Sequence, residues 1–467
     1  MAFLEFKSVR IAGISAGVPK RKVCNLDIKD ISADYDSAAF VETTGVLERR
    51  LDENLTTSDL CVAAAEKLIC DLGWEKSEVG GVIFVSQTTD YYLPATACII
   101  QDRLGLSKEC YAEDIVLGCS GWVYGLSSLV SLMANGGIKK ALLLTGDAKR
   151  HVETNDPLFG FAGTATALEY QEGAEGFKFH FGTDGSGFDA IIIPDGGSRN
   201  QVTENSFKDE VIDGKHYNRM QTRMKGMDVF SFGISTAPKS VKKLAEHFGF
   251  DYLDADYIVF HQANMKMNNM IAKKLKLPAE KVPSCMYHFG NTSSASIPLT
   301  IVTQLRGKCE DKTKFICCGF GVGLSWGTVA FDTEKIVLSD LVEVGEEIVD
   351  SKYVTISKSN TDGSIIYYTN GSAVINYKDK VLYVSENSDI KYNDNNTISS
   401  IGNNYEELSN ETNIDNVNIQ IFEKTAVIKT DEYIAIVPKE MVIYNTDGTV
   451  KEILPKDDEE EDDNNTF

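Results

Sequence analysis

Asp114-Ile-Val-Leu-Gly-Cys-Ser-Gly-Trp-Val123 is the stretch that decides how this chain folds. The apolar run Ile115-Val116-Leu117 predicts a buried strand, and Cys119 follows it between Gly118, Ser120 and Gly121. The residues from there to Asn135 are apolar or small and stop at Gly136-Gly137, a glycine helix stop. Strand, tight turn and helix in that order indicate an α/β fold. A cysteine in the first turn of a helix feels the positive end of the helix dipole, which favours the thiolate. Taken alone, such a residue is more often an inert part of the core.

Three distant segments change that balance. Tyr257-Ile-Val-Phe260 predicts a buried strand, and His261-Gln-Ala-Asn264 follows at its end, ahead of a helix from about Met265 to Leu277. Strand ends are where α/β folds present chemistry, although a lone histidine there is more often structural. Gly290-Asn-Thr-Ser-Ser-Ala-Ser-Ile-Pro298 surrounds Asn291 with small residues that let another group approach. Gly319-Phe-Gly-Val-Gly-Leu-Ser-Trp-Gly327 follows the strand-like Lys314-Phe-Ile-Cys-Cys318. Its glycines can turn backbone N–H groups toward a ligand, but it lacks the Lys-Ser/Thr ending of a phosphate loop.

In their order and spacing these motifs resemble the β-ketoacyl-acyl carrier protein synthase III family of the thiolase superfamily, over roughly residues 5–332. Thr43-Thr-Gly-Val-Leu-Glu-Arg-Arg50 and Gly182-Thr-Asp-Gly-Ser186 look like further landmarks of that family. The resemblance implies a thiolase-like fold of two duplicated α/β halves in helix–sheet layers, residues 1–175 and 176–333. It implies Cys119 as the acyl-carrying nucleophile, with His261 and Asn291 as donors to a thioester enolate. The oxyanion hole would be the backbone N–H groups of Cys119 and Val322, and Phe320 would line the site. No metal and no bound cofactor are expected. The implied substrates are thioesters on acyl carrier protein phosphopantetheine or on CoA, and the implied partners are an acyl carrier protein and a second copy of the chain. Lys266, Lys273, Lys274 and Lys276 are the candidate docking cations for an acidic carrier.

The chain departs from the family pattern around the CoA nucleotide. Acetyl-CoA-using members carry a Trp and an Arg where this sequence has Ala39 and Thr43, and a second Arg is missing from the shortened stretch before Phe159-Gly160. Phe161-Ala162 stands where Asp-Gly is customary, and Val322 stands where the family has the oxyanion glycine. These changes argue against acetyl-CoA as primer and toward a specialised pathway for a secondary metabolite or surface glycan.

Charge divides the chain differently. Of the 467 residues, 336–467 carry 27 Asp and Glu against 10 Lys and Arg, so most of the net charge of −23 lies there. That acidity argues against nucleic-acid binding. Residues 334–455 predict a small all-β accessory domain, with β-rich runs such as 353–357, 373–377 and 425–429 separated by Asn-Gly and Asp-Gly turns. Residues 387–416 are Asn-rich and read as a loop, and 456–467 as an acidic disordered tail. All ten cysteines precede residue 319 without a paired framework, which suits a reducing, cytoplasmic setting. No apolar run is long enough for a signal peptide or a membrane span.

Two other activities fit the same residues. One is an acyltransferase that moves an acyl group from Cys119 to an alcohol or amine without decarboxylation. The other is a non-catalytic scaffold that binds acyl carriers.

Overall fold

In this computed structural model the described residues are 2–28, 35–148, 156–212 and 215–345, together with the backbone of the strands from Ile356–Asn360 to Val450–Ile453. The chain divides into two units, Met1–Glu347 and Ile348–Phe467.

The first unit is built on two mixed sheets. Its first half contributes, in chain order, Val9–Pro19, Val79–Val85, Tyr111–Ile115, Lys140–Asp147 and Ala162–Tyr170. They lie in the spatial order first, fifth, fourth, second, third. The second half contributes Phe177–Thr183, Tyr257–Phe260, Thr313–Gly321 and Ser325–Thr333. It repeats the pattern: Phe177–Thr183 pairs antiparallel with Ser325–Thr333, which pairs antiparallel with Thr313–Gly321, which pairs parallel with Tyr257–Phe260.

Two helices occupy the middle layer. Gly121–Met133 packs on strands of both sheets, and so does Ser296–Leu305. Trp122, Val123, Leu126, Leu129, Val130 and Met133 are all buried, as is every residue from Ser296 to Val302. A helix apolar around most of its circumference has to be covered on both sides, and the two sheets cover it. Gly125 permits the contact, because a Cβ there would stand 2.6 Å from Val85 and 2.7 Å from Leu143. The threonines of Ser296–Leu305 satisfy themselves on the preceding turn, Thr300 donating to the Ser296 carbonyl at 2.7 Å. Thr57–Leu72 covers the outer face of the first sheet and Gly226–Phe248 that of the second. Among the described residues no helix is long and apolar enough to cross a membrane.

Several sequence expectations shift. The strand ahead of Cys119 is Tyr111–Ile115, and Val116 is 71 % exposed beyond it. The helix Thr57–Leu72 is capped by Thr56, whose hydroxyl accepts from the Asp59 N–H while Asp59 accepts from the Thr56 N–H at 2.8 Å. Ala2–Phe6, early in the chain, pairs with Phe177–Thr183 in the second sheet. Val337–Leu338 and Val342–Val344, beyond the expected boundary at 334, add in parallel to Val9–Pro19 in the first. Composition follows chain order and carries no signal for which sheet an edge strand joins. In the second unit the described strands pair antiparallel, as in Ala373–Tyr377 with Lys380–Val384. The 387–416 stretch read as a loop contains Ile390–Tyr392, Ile398–Ile401, Tyr405–Glu407 and Glu411–Ile414. The expected tail 456–467 lies outside the described residues.

The late strands are tied into the first unit by charge as well as by backbone. Glu343 accepts from Arg50 Nη1 at 2.7 Å, and Arg50 is only 5 % exposed. A buried guanidinium stripped of its carboxylate is destabilising. A chain ending at Glu347 is therefore expected to be more stable than one ending at Asp332, by roughly 3 kcal/mol from lost ladder bonds, apolar cover and the ion pair. Urea denaturation of the two chains checks this; equal midpoints would contradict it.

Candidate active site

The two middle helices begin at the same seam, and the four sequence motifs meet there. A cavity of ≈ 470 Å³ is lined by Cys119, His261, Asn291, Phe320, Gly321 and Val322, the residues and loop singled out in the sequence. Gln87, Thr88, Asp147 and Ser293 line it as well.

Cys119 is half-buried and stands two residues before the first residue of Gly121–Met133. The turn is closed by the Gly121 N–H donating to the Gly118 carbonyl at 2.7 Å. The glycine loop presses directly on it. A Cβ at Gly321 would stand 2.6 Å from Cys119 Cβ and 2.8 Å from its Sγ, so only glycine fits. The contact brings the Val322 backbone beside the nucleophile. Ser120 Oγ and Ser325 Oγ hold the two segments together at 2.7 Å, and Ser325 Oγ also donates to the Val322 carbonyl at 2.9 Å.

His261 follows Tyr257–Phe260, and its N–H donates to the Cys318 carbonyl at 2.9 Å. Its Nδ1 lies 2.8 Å from the hydroxyl of Ser296, the first residue of the second middle helix. Phe320 meets its ring edge-on at 5.7 Å. Burial pushes the His261 pKa down to about 3, against a smaller opposing effect of a hydrogen bond to the Ser293 backbone. The imidazole is therefore neutral at any ordinary pH.

Asn291 is buried just ahead of that second helix. Its Oδ1 accepts from the Ser293 N–H at 2.9 Å. A backbone N–H only donates, so the oxygen is used there and Nδ2 is the donor left for the cavity. Ser293 holds this geometry at a φ of +53, a left-handed conformation uncommon for a side-chain-bearing residue. The small residues around Asn291 thus serve to seat its amide.

The four lysines are exposed, on or just after Met265–Leu275, while Ala263, Asn264 and Met267 near the start of that segment line the cavity. Lys274 Nζ donates to the Ile234 carbonyl at 2.9 Å, so it braces two helices as well as facing solvent. Lys276 is the left-handed cap at φ +56. Ala39 and Thr43 are exposed on the short helix Ser37–Thr44. Of the shortened stretch before Phe159, residues 149–155 lie outside the described residues.

The C-terminal domain of 3-oxoacyl-[acyl-carrier-protein] synthase III matches residues 245–333, and the preceding 3-oxoacyl-[acyl-carrier-protein] synthase III domain matches 113–185. The β-ketoacyl-[acyl-carrier-protein] synthase III 1 of Bacillus cereus is 32% identical over 333 residues, 69% of this chain and 98% of that one. This chain belongs to the 3-oxoacyl-[acyl-carrier-protein] synthase III family. The family's enzyme from Clostridium acetobutylicum is 32% identical over 334 residues, covering 70% of this chain and 99% of its own. The crystal structure of the 3-oxoacyl-(acyl-carrier protein) synthase from Burkholderia xenovorans LB400 superposes with a TM-score of 0.67 at 37% identity, covering 73% of this chain and 99% of that one. The protein is thus an acyltransferase of the ketoacyl synthase III type on a thiolase-like fold.

Sequence reading missed the residues that hold the site: Ser296 behind His261, Ser293 behind Asn291, and the Ser120–Ser325 pair. Isolated serines carry no pattern that announces a buried partner. It also missed Gln87, Thr88 and Asp147. Asp147 Oδ1 accepts from Ser86 Oγ at 2.9 Å and from the Gln87 N–H at 2.8 Å, which shapes that side of the cavity.

The depressed pKa of His261 has a consequence for stability. Below its usual value of 6.5 the unfolded chain binds a proton that the buried ring refuses. Stability therefore falls as pH drops from about 6.5 toward 3, by up to about 1.4 kcal/mol per pH unit from this group. His180, pushed down to about 4 chiefly by burial, acts in the same direction between 6.5 and 4. Urea denaturation at pH 7, 6 and 5 is expected to give a steeper loss for the parent than for His261→Gln. Parallel slopes would mean that His261 titrates normally.

Proposed function

We propose that this enzyme condenses an acyl group held on Cys119 with a malonyl-type thioester. The Cys119 thiolate attacks the primer thioester, and the N–H groups of Cys119 and Val322 take the oxyanion. The carrier thiol leaves and the acyl group stays on sulfur. A malonyl thioester then loses CO2, and the enolate oxygen accepts from His261 Nε2–H and Asn291 Nδ2–H. On this reading Ser296 Oγ, 2.8 Å from Nδ1, is the donor of that pair, which leaves the single ring proton of His261 on Nε2. The enolate carbon attacks the acyl carbonyl, and a 3-oxoacyl thioester departs as the Cys119 thiolate re-forms. The observation that carries this reading is the convergence of Cys119, His261 and Asn291 on one cavity, with Gly321 closed against the nucleophile.

The exposed Ala39 and Thr43 offer no ring or cation to an adenine, which favours a primer delivered by a carrier protein in a specialised acyl pathway. The lysine-bearing helix beside the cavity suits an acidic carrier. A homodimer is part of the reading. Val116 lines the cavity while 71 % exposed, directly after Tyr111–Ile115. That strand has one strand neighbour among the described residues, so a second copy would complete that rim. The ten free cysteines suit a reducing, cytoplasmic setting.

Intact-protein mass spectrometry with acyl thioesters tests the first half-reaction. Cys119→Ala is expected to gain no acyl mass; acylation of another residue would remove Cys119 from the mechanism. For the second half, His261→Ala and Asn291→Ala are each expected to slow CO2 release from malonyl thioester by roughly 10²–10³ while acylation persists. CO2 release at the parent rate would contradict the donor roles, and acyl transfer to an alcohol or amine without CO2 release would establish the alternative acyltransferase. Reversing Lys273 and Lys274 to Glu is expected to raise KM for carrier-bound substrate, most at low salt. An unchanged KM there would exclude this surface.

A further inference from the structure

The segment from Leu158 to Phe161 forms one wall of the cavity, and the backbone of Asn291 is clasped by it. The Asn291 N–H donates to the Leu158 carbonyl at 2.8 Å, and its carbonyl accepts from the Gly160 N–H at 3.1 Å. This wall has no regular structure of its own, so something else has to fix it. Two buried side chains do so. Arg49 Nη1 donates to the carbonyls of Asp156 at 3.3 Å and Phe159 at 3.2 Å. Asn25 Nδ2 donates to the Pro157 carbonyl at 2.8 Å and to that of Val46 at 3.0 Å. Four consecutive carbonyls, 156 to 159, are thus captured, three by these side chains and one by Asn291 itself.

The two side chains brace each other, Arg49 Nε donating to Asn25 Oδ1 at 2.7 Å. Asn25 is fully buried and Arg49 is 5 % exposed. A buried guanidinium is costly unless its donors are used, and here its planar fork spans acceptors that a single ammonium could not reach together. The next link is backbone, the Phe161 N–H donating to the Arg50 carbonyl at 2.9 Å. Glycine makes the approach possible. Gly290 has φ +64, and a Cβ there would stand 2.7 Å from the Leu158 carbonyl oxygen and 3.3 Å from Arg49 Cγ.

We propose that Arg49, braced by Asn25, is a positioning residue for Asn291: it fixes the 156–159 carbonyls, and through them the angle at which the Asn291 amide enters the cavity. This rests on the reading of Asn291 as a donor in decarboxylation. The side-chain hydrogen bonds of Arg49 and Asn25 run to Val46, to the carbonyls of the 156–159 wall and to each other, so the first half-reaction should be spared.

The test measures Cys119 acylation and CO2 release from malonyl thioester for Arg49→Lys and Asn25→Ala, each alone and combined with Asn291→Ala. Both single variants are expected to acylate within about threefold of the parent and to lose roughly 10- to 100-fold in CO2 release, the cost of a misplaced donor. In the Asn291→Ala background the same changes are expected to add less than about twofold, because the group they position is gone. Equal losses in both half-reactions, or full additivity with Asn291→Ala, would overturn the proposal. So would loss of fold in both variants, since the network would then be holding the domain and not the amide. Failure of the underlying reading looks different: Asn291→Ala alone would leave CO2 release at the parent rate.

Discussion

Two helices that are apolar around most of their circumference have to be covered on both sides, and the first unit is arranged around that constraint. Gly121–Met133 and Ser296–Leu305 lie between the sheets, one from each half. Because the halves repeat the same strand order, the two helices start at the same seam. Helix starts expose unpaired N–H groups and the positive end of a dipole. Cys119 precedes one start and Asn291 precedes the other, and Ser296, the first residue of the second helix, meets His261. The site is the junction of two buried helix N-termini, which is why residues 172 positions apart in the chain line one cavity.

Burial then sets the electrostatics. A ring enclosed like that of His261 cannot hold a proton, so what it offers is a neutral N–H. The Asn291 amide is neutral by nature. On the proposed mechanism two neutral donors stabilise an enolate oxygen without protonating the carbon that must attack. An imidazolium in the same place would quench it. On the same mechanism the close approach of Gly321 to Cys119, which leaves no room for a side chain, serves the other charge, the oxyanion of the acyl transfer.

The sequence was legible where a feature is local. The strand–turn–helix around Cys119 and the His-Gln-Ala-Asn run at the end of its strand each depend on a pattern spanning a few residues, and the structure has both. What was not legible depends on distant partners. Val116 sits in an apolar run and reads as core, yet it lies past the strand end, exposed where it lines the cavity. Ala2–Phe6 and Val337–Leu338 trade sheets relative to chain order, because an edge strand joins whichever neighbour the fold leaves open. The serines behind His261 and Asn291, and the Asn25–Arg49 brace, are single polar residues whose partners lie far along the chain. Buried polar groups must be paired, but sequence does not say with whom.

The central claim is that the Cys119 turn and the glycine loop together form the site of acyl transfer. A crystal structure of the enzyme acylated by a slowly turning-over thioester addresses it most directly. The account predicts an acyl group on Cys119 Sγ with its carbonyl oxygen within hydrogen-bond distance of both the Cys119 and Val322 backbone nitrogens, and the Asn291 and His261 donors open toward the cavity. An acyl group on another residue, or a carbonyl turned away from both nitrogens, would contradict it.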